Sequence, residues 1–129
     1  MRGILAKDIS ELRVLVVEDE PLVAMLAEEM LADLGHRAAS VVHRLKDALE
    51  TIEADRFDLA FLDVNLSGSL SFPVADKAAE MGIPVLFVTG FSGDHMDRLA
   101  RECVLQKPYT AQDLQRAIAA ALEQGRVRG

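Results

Sequence analysis

Four apolar runs in this chain each end on a residue able to handle a phosphoryl group. Glu18-Asp19 follow LRVLVV, Asp63 follows DLAFL, Thr89 follows IPVLFV and Lys107 follows CVLQ. Parallel strands of an open α/β sheet present their carboxyl ends to one crevice, where such folds bind ligands. Three carboxylates, a hydroxyl and an ammonium would then converge on one spot. The chemistry that wants this set is metal-assisted phosphoryl transfer onto an aspartate.

Each residue type has a reason to be there. If the strands carrying Glu18-Asp19 and Asp63 are neighbours, three carboxylates share a crevice and repel one another, and a bound cation relieves the repulsion. Oxygen-only ligands point to Mg²⁺, with Mn²⁺ as a substitute, whereas zinc prefers nitrogen or sulfur donors that are missing. Lys107 is a point charge on a long stem, and Pro108 after it disfavours helical geometry and keeps it extended. Thr89 offers a hydroxyl to a phosphoryl group, and Gly90 leaves room for that group to enter. No glycine-rich phosphate cradle follows the first run, so a nucleotide site is disfavoured.

Five β-type runs alternate with five helical stretches, as βαβ units around a parallel sheet require. The strands are expected near Arg13 to Val17, Arg37 to Val42, Leu59 to Leu62, Pro84 to Val88 and Cys103 to Leu105. The first, third and fourth are almost wholly apolar and belong at the centre of the sheet, with the second and fifth nearer its edges. Pro21 opens the first helix and Gly35 follows its end. Leu22, Leu26, Met30 and Leu34, flanked by Val23, Ala27 and Leu31, are expected to lay an apolar stripe on the sheet. The second helix, about Leu45 to Ala54, turns Leu45, Ala48, Leu49 and Ile52 inward. A long loop through Ser67 to Pro73 delays the third helix, which runs from Pro73 to Met81. The stretch from Gly90 to Arg101 has few apolar anchors, so the fourth helix is expected to be short, frayed or mobile. The last helix starts at Thr110, with Asp113 completing a capping box and Leu114, Ile118, Ala121 and Leu122 facing inward.

At 129 residues, half of them apolar, the chain suits one domain with one core. Residues 1–10 are expected as a leading arm, 11–124 as the domain and 125–129 as a short tail. The balance of 21 acidic against 14 basic residues gives a net charge of −7, which argues against nucleic acid or an anionic membrane as partner. No signal peptide or membrane span is read, and the chain is expected in the cytoplasm. Cys103 alone cannot form an internal disulfide and is expected to pack in the core. His36, His43 and His95 have no ligand spacing and are expected on turns or surfaces.

From Leu12 to Glu123 the chain resembles the receiver domain of bacterial two-component response regulators. The resemblance implies a flavodoxin-like (βα)₅ fold, a parallel five-stranded sheet of order 2-1-3-4-5 with helices on both faces. It implies Asp63 as phosphoacceptor, Asp19 as a direct Mg²⁺ ligand and Glu18 as one acting mainly through water. The backbone carbonyl of Asn65 would be a further metal ligand, Thr89 the switch hydroxyl and Lys107 the family's lysine. DVNLSG from Asp63, SFPVAD from Ser71 and IPVLFVTGFSGD from Ile83 are similar to a subfamily, often single-domain, marked by a Phe-Ala-Thr-Gly-type motif after the fourth strand. That subfamily implies a sensor histidine kinase of HWE or HisKA2 type as phosphodonor. A downstream protein partner, met through the strand 4/helix 4/strand 5 surface, would read the signal.

The chain also departs from the receiver pattern. Leu66-Ser67 stand where Met-Pro is usual, and Val104 stands three residues before the lysine, where receivers carry Tyr or Phe. The usual inward-turning aromatic therefore cannot operate in its ordinary form, and Phe91 or Tyr109 are the rings left to replace it. Two rival readings use the same residues: an Asp-nucleophile phosphohydrolase, and a degenerate receiver that docks partners without phosphorylation. Asn65 argues against the first, because such hydrolases often place a second carboxylate two residues beyond the nucleophile. The complete residue set argues against the second.

Overall fold

Strand β1, Arg13–Val17, runs through the middle of the molecule because its side chains are apolar on both faces, and Val14 to Val17 are all buried. The computed structural model describes residues 11–90 and 95–128. Around β1 lie β2 (Arg37–Val42), β3 (Leu59–Asp63), β4 (Val85–Thr89) and β5 (Cys103–Gln106), all parallel, in the order β2-β1-β3-β4-β5. This is the flavodoxin-like order expected, with the two more polar strands at the edges. The helices are α1 (Pro21–Asp33), α2 (Leu45–Ala54), α3 (Phe72–Glu80), α4 (Met96–Leu99) and α5 (Ala111–Arg128).

Alternation along the strands divides the core in two. Leu15, Val17, Ala60, Leu62 and Phe87 face α2 and α3, meeting Ala48, Ile52, Val74 and Ala78. Val14, Val16, Phe61, Leu86 and Val88 face α1 and α5, meeting Ala27, Leu31, Leu114 and Ile118. Each fully buried Leu or Ile contributes about 1.5–3 kcal/mol of transfer free energy, so both faces hold the sheet between its helices.

The phase of α1 differs from the expectation. Ala24, Ala27 and Leu31 are its buried residues, while Leu22, Met25 and Leu26 are 71%, 49% and 60% exposed. The alanines let the helix backbone come close to the sheet, a fit that a ridge of leucines would prevent. Met30 and Leu34 still pack at the margin of the core.

The loop expected before α3 is instead a tight hairpin, Asn65–Leu66 against Ser69–Leu70, closed by Ser67 and Gly68 with φ of 52° and 97°. Two successive positive φ values are the signature of the turn that matches strand twist. Helix α3 starts at Phe72, one residue early, and α4 is a single turn of four residues. Phe91 lies outside the described residues, as does the leading arm. Residues 125–128, expected as a tail, continue α5 to Arg128. The Cys103 thiol is half-buried and donates to Gln124 Oε1 at 2.7 Å.

The capping box of α5 forms as expected. The Asp113 N–H donates to Thr110 Oγ1 at 3.0 Å and the Thr110 N–H donates to Asp113 Oδ2 at 3.0 Å. Thr110→Ala is expected to lower stability by about 1 kcal/mol, read as an earlier urea midpoint with an unchanged slope.

Candidate functional site

Strand register brings the four strand ends to one end of the sheet. Val17 pairs with Leu62, so Glu18 emerges beside Asp63; Asp63 pairs with Val88, and Thr89 with Gln106, so Thr89 stands one residue and Lys107 two residues beyond that row. The Lys107 N–H donates to the Thr89 carbonyl at 2.8 Å, which ties the last two ends together. Asp19, Asp63, Asn65, Thr89 and Lys107 line one open cavity of about 370 Å³, with Ser67, Gly90 and His95 also on its wall.

Glu18, Asp19 and Asp63 each offer a carboxylate oxygen within 4.8 Å of the others. At an effective dielectric near 20, each such repulsion is worth about 3–4 kcal/mol. Lys107 Nζ lies 3.1 Å from Glu18 Oε1 and 3.5 Å from Asp63 Oδ2, so one ammonium faces two of the three carboxylates. Glu18 is 5% exposed, and burial together with the adjacent Asp63 pushes its carboxyl up to about 7. Burial works against the Lys107 charge, but Asp63 and Glu18 outweigh it and hold the ammonium above its ordinary range. Asp19 receives a hydroxyl instead: the slight burial that would raise its carboxyl is outweighed by hydrogen bonds involving Ser67 and Glu18, which hold it low.

An all-oxygen cluster short of positive charge fits a hard divalent ion such as Mg²⁺. Asp19 and Asp63 border the open cavity and would hold it, with Glu18 behind them. The Asn65 side-chain carbonyl accepts the Gly68 N–H at 3.2 Å and closes the hairpin turn, so an oxygen from Asn65 would have to come from its backbone.

Three residues of the site were not singled out by the sequence pattern. Ser67 reaches Asp19 only because the hairpin folds back over the pocket. His43, at the end of β2, donates from Nδ1 to the Glu18 carbonyl at 2.8 Å and steadies the turn that carries both acids. His95, expected on an ordinary surface, is exposed but stands on the cavity wall. His36 is half-buried and accepts the Leu12 N–H on Nδ1 at 3.2 Å. Val104 is 39% exposed, and Tyr109 packs edge-on against Phe61 at 6.4 Å, on the α1/α5 side of the sheet.

The sequence profile of the response regulator receiver domain matches residues 14–119. The chain is similar to the transcriptional regulatory protein PdtaR of Mycobacterium tuberculosis, 31% identical over 119 residues that make up 88% of this chain and 58% of that protein. It is also similar to the phyllosphere-induced regulator PhyR of Methylorubrum extorquens, 28% identical across 84% of this chain and 43% of that one. It thus spans about half the length of the curated relatives it matches. Among solved structures, SdrG from Sphingomonas melonis Fr1 superposes with a TM-score of 0.77 and 41% identity, covering 88% of this chain and 98% of that chain. Because the matched residues begin in β1, end in α5 and take in every strand of the sheet, the chain belongs to the receiver domain family of two-component response regulators.

Proposed function

We propose that the protein takes a phosphoryl group from a kinase phosphohistidine onto Asp63 and signals through its β4/α4/β5 surface. The observation that carries this reading is Lys107 bridging Glu18 and Asp63 at the carboxyl end of the sheet. In the transfer, an Asp63 carboxylate oxygen bonds to phosphorus while the phosphorus–nitrogen bond breaks and its electron pair returns to the imidazole. Mg²⁺ or Mn²⁺ held by Asp19 and Asp63 would supply positive charge against the phosphoryl oxygens. Lys107 exchanges part of its pairing with Asp63 for a phosphoryl oxygen, and the Thr89 hydroxyl turns toward the new group. Asn65 places no second carboxylate where a hydrolase would need one, so the protein catalyses only its own phosphorylation and dephosphorylation.

The partner on the input side is a sensor histidine kinase, of HWE or HisKA2 type by the motif after β4. The bare flank of α1 supports that reading. Leu22, Met25 and Leu26 stand exposed on the helix that leaves the acidic turn, next to the pocket that a phosphohistidine must enter. The cytoplasm is the compartment that suits this role, and among the described residues no helix is long and apolar enough to cross a membrane.

Incubation with acetyl phosphate and Mg²⁺ is expected to add the mass of one phosphoryl group to the wild type and none to Asp63→Asn. An unmodified wild type, or equal modification of both, sinks the proposal. Leu22→Ala/Leu26→Ala is expected to slow transfer from the cognate kinase by about thirtyfold, from the roughly 2 kcal/mol of contact the two leucines offer, and to leave labelling by acetyl phosphate unchanged.

The acidic turn also sets a pH dependence. Glu18 ionises near 4.5 when unfolded and near 7 when folded, so between those values the unfolded state releases a proton that the folded state keeps. Stability from this group is therefore lost as pH rises through that window. Glu18→Gln is expected to remove the fall, gaining on the order of 2 kcal/mol on the wild type between pH 5 and pH 8 in metal-free urea unfolding. Added Mg²⁺ is expected to shrink the difference by favouring the ionised turn.

A further inference from the structure

With Val104 where a switching ring is expected, aromatic groups among the described residues near the pocket include Phe72 at the start of α3 and the His95 ring just before α4. Phe72 is the first residue of α3, reached from Asp63 directly through the hairpin. Its ring meets Phe87 of β4 edge-on at 5.5 Å and the His95 ring edge-on at 5.7 Å. The Arg98 guanidinium lies 4.8 Å from the Phe72 centroid and 5.9 Å from that of Phe87. Arg98 also pairs with Asp76 of α3 at 2.7 Å and with Glu102 at 2.8 Å. A helix of four residues has no stability of its own. What seats α4 is this cluster, in which one arginine is held by two carboxylates and two rings.

His95 stands where the cluster meets the pocket. Its backbone is left-handed, φ 60°, and no side-chain bond caps the helix it begins. For a residue with a Cβ that conformation costs about 1 kcal/mol or more, and it persists where the surroundings over-determine it. Here they do so from two sides: the Phe72 ring packs against the imidazole, and the Leu99 N–H donates to the His95 carbonyl at 3.0 Å. His95 thereby shares the cavity wall with Asp63, Thr89 and Lys107. Among the donors on that wall, Ser67 is engaged with Asp19, and Lys107 with Glu18 and Asp63. His95 is the one contributed by the α4 segment.

We infer that His95 is a further residue of the phosphoacceptor site, donating a ring N–H to an oxygen of the phosphoryl group on Asp63 and so tying the seating of α4 to phosphorylation. This rests on the receiver reading above and deepens it. The contact has two consequences. It screens the acyl phosphate from the water whose oxygen would bond to phosphorus as the bond to the Asp63 oxygen breaks, releasing the carboxylate and inorganic phosphate. It also moves the imidazole on Phe72, and Arg98, resting on the same ring, carries the shift into α4.

Wild type, His95→Ala and His95→Gln are each labelled with acetyl phosphate and Mg²⁺, freed of donor, and followed by intact mass as the label decays. In parallel, beryllofluoride with Mg²⁺ serves as the phosphoryl mimic while the amide resonances of residues 96–99 are recorded. Losing one hydrogen bond shortens the half-life in His95→Ala by about three- to tenfold, and glutamine, which keeps a donor, restores it to within about twofold. The response of the 96–99 amides to the mimic falls by about half or more in His95→Ala, because the bond that drives it is gone. Equal half-lives and equal amide responses in wild type and His95→Ala overturn the inference while leaving the receiver reading intact. A glutamine variant as short-lived as the alanine one does the same, since it reduces His95 to packing. A wild type that takes no label defeats the receiver reading and this inference with it.

Discussion

The fold is arranged around an electrostatic conflict, three carboxylates held within 4.8 Å of one another at the end of a buried sheet. Such a cluster stands only if something rigid prevents the groups from moving apart and something positive offsets them. Rigidity comes from strands β1 and β3, whose apolar side chains on both faces lock the register that sets Glu18 beside Asp63. The positive charge comes from a lysine that follows the edge strand β5. The site is therefore complete only when β5 is in place, which joins the chemistry to the closing of the whole domain.

The offset is incomplete, and the shortfall is informative. Burial and the adjacent Asp63 push the Glu18 carboxyl up to about 7 against the ammonium it shares with Asp63, and Asp19 is left to a serine. A pocket that had settled its charges internally would have little use for an added cation. This one retains a demand for positive charge on its open side, where Asp19 and Asp63 border the cavity.

The parts of the molecule most legible in its sequence were those governed by local rules. Apolar runs located all five strands, strand-end polarity located the acids and the lysine, and the Thr110 to Asp113 spacing located a cap that forms as drawn. What local rules missed depends on sizes and on chain reversals. The stripe of α1 was drawn through its largest side chains, yet close approach to the sheet selects its smallest, Ala24 and Ala27. Ser67 looked like loop filler because its use depends on a hairpin folding back over Asp19. His95 carried no spacing signal, since its place in the pocket follows from a single left-handed residue and a ring contact with Phe72. For Ser67 the adjacent Gly68 was the signal in the sequence for the turn that places it.

The close seating of α1 has a colloidal consequence. By turning two leucines and a methionine outward, it leaves an apolar stripe on a solvent-facing surface, the kind of patch by which copies of one protein adhere. The net charge of −7 opposes that encounter over a distance of about 8–10 Å at ordinary ionic strength. Acidity that looks like a generic property of the surface thus works against self-association through the stripe. Salt, which shortens the reach of that repulsion without weakening apolar attraction, is the condition under which the two come into conflict.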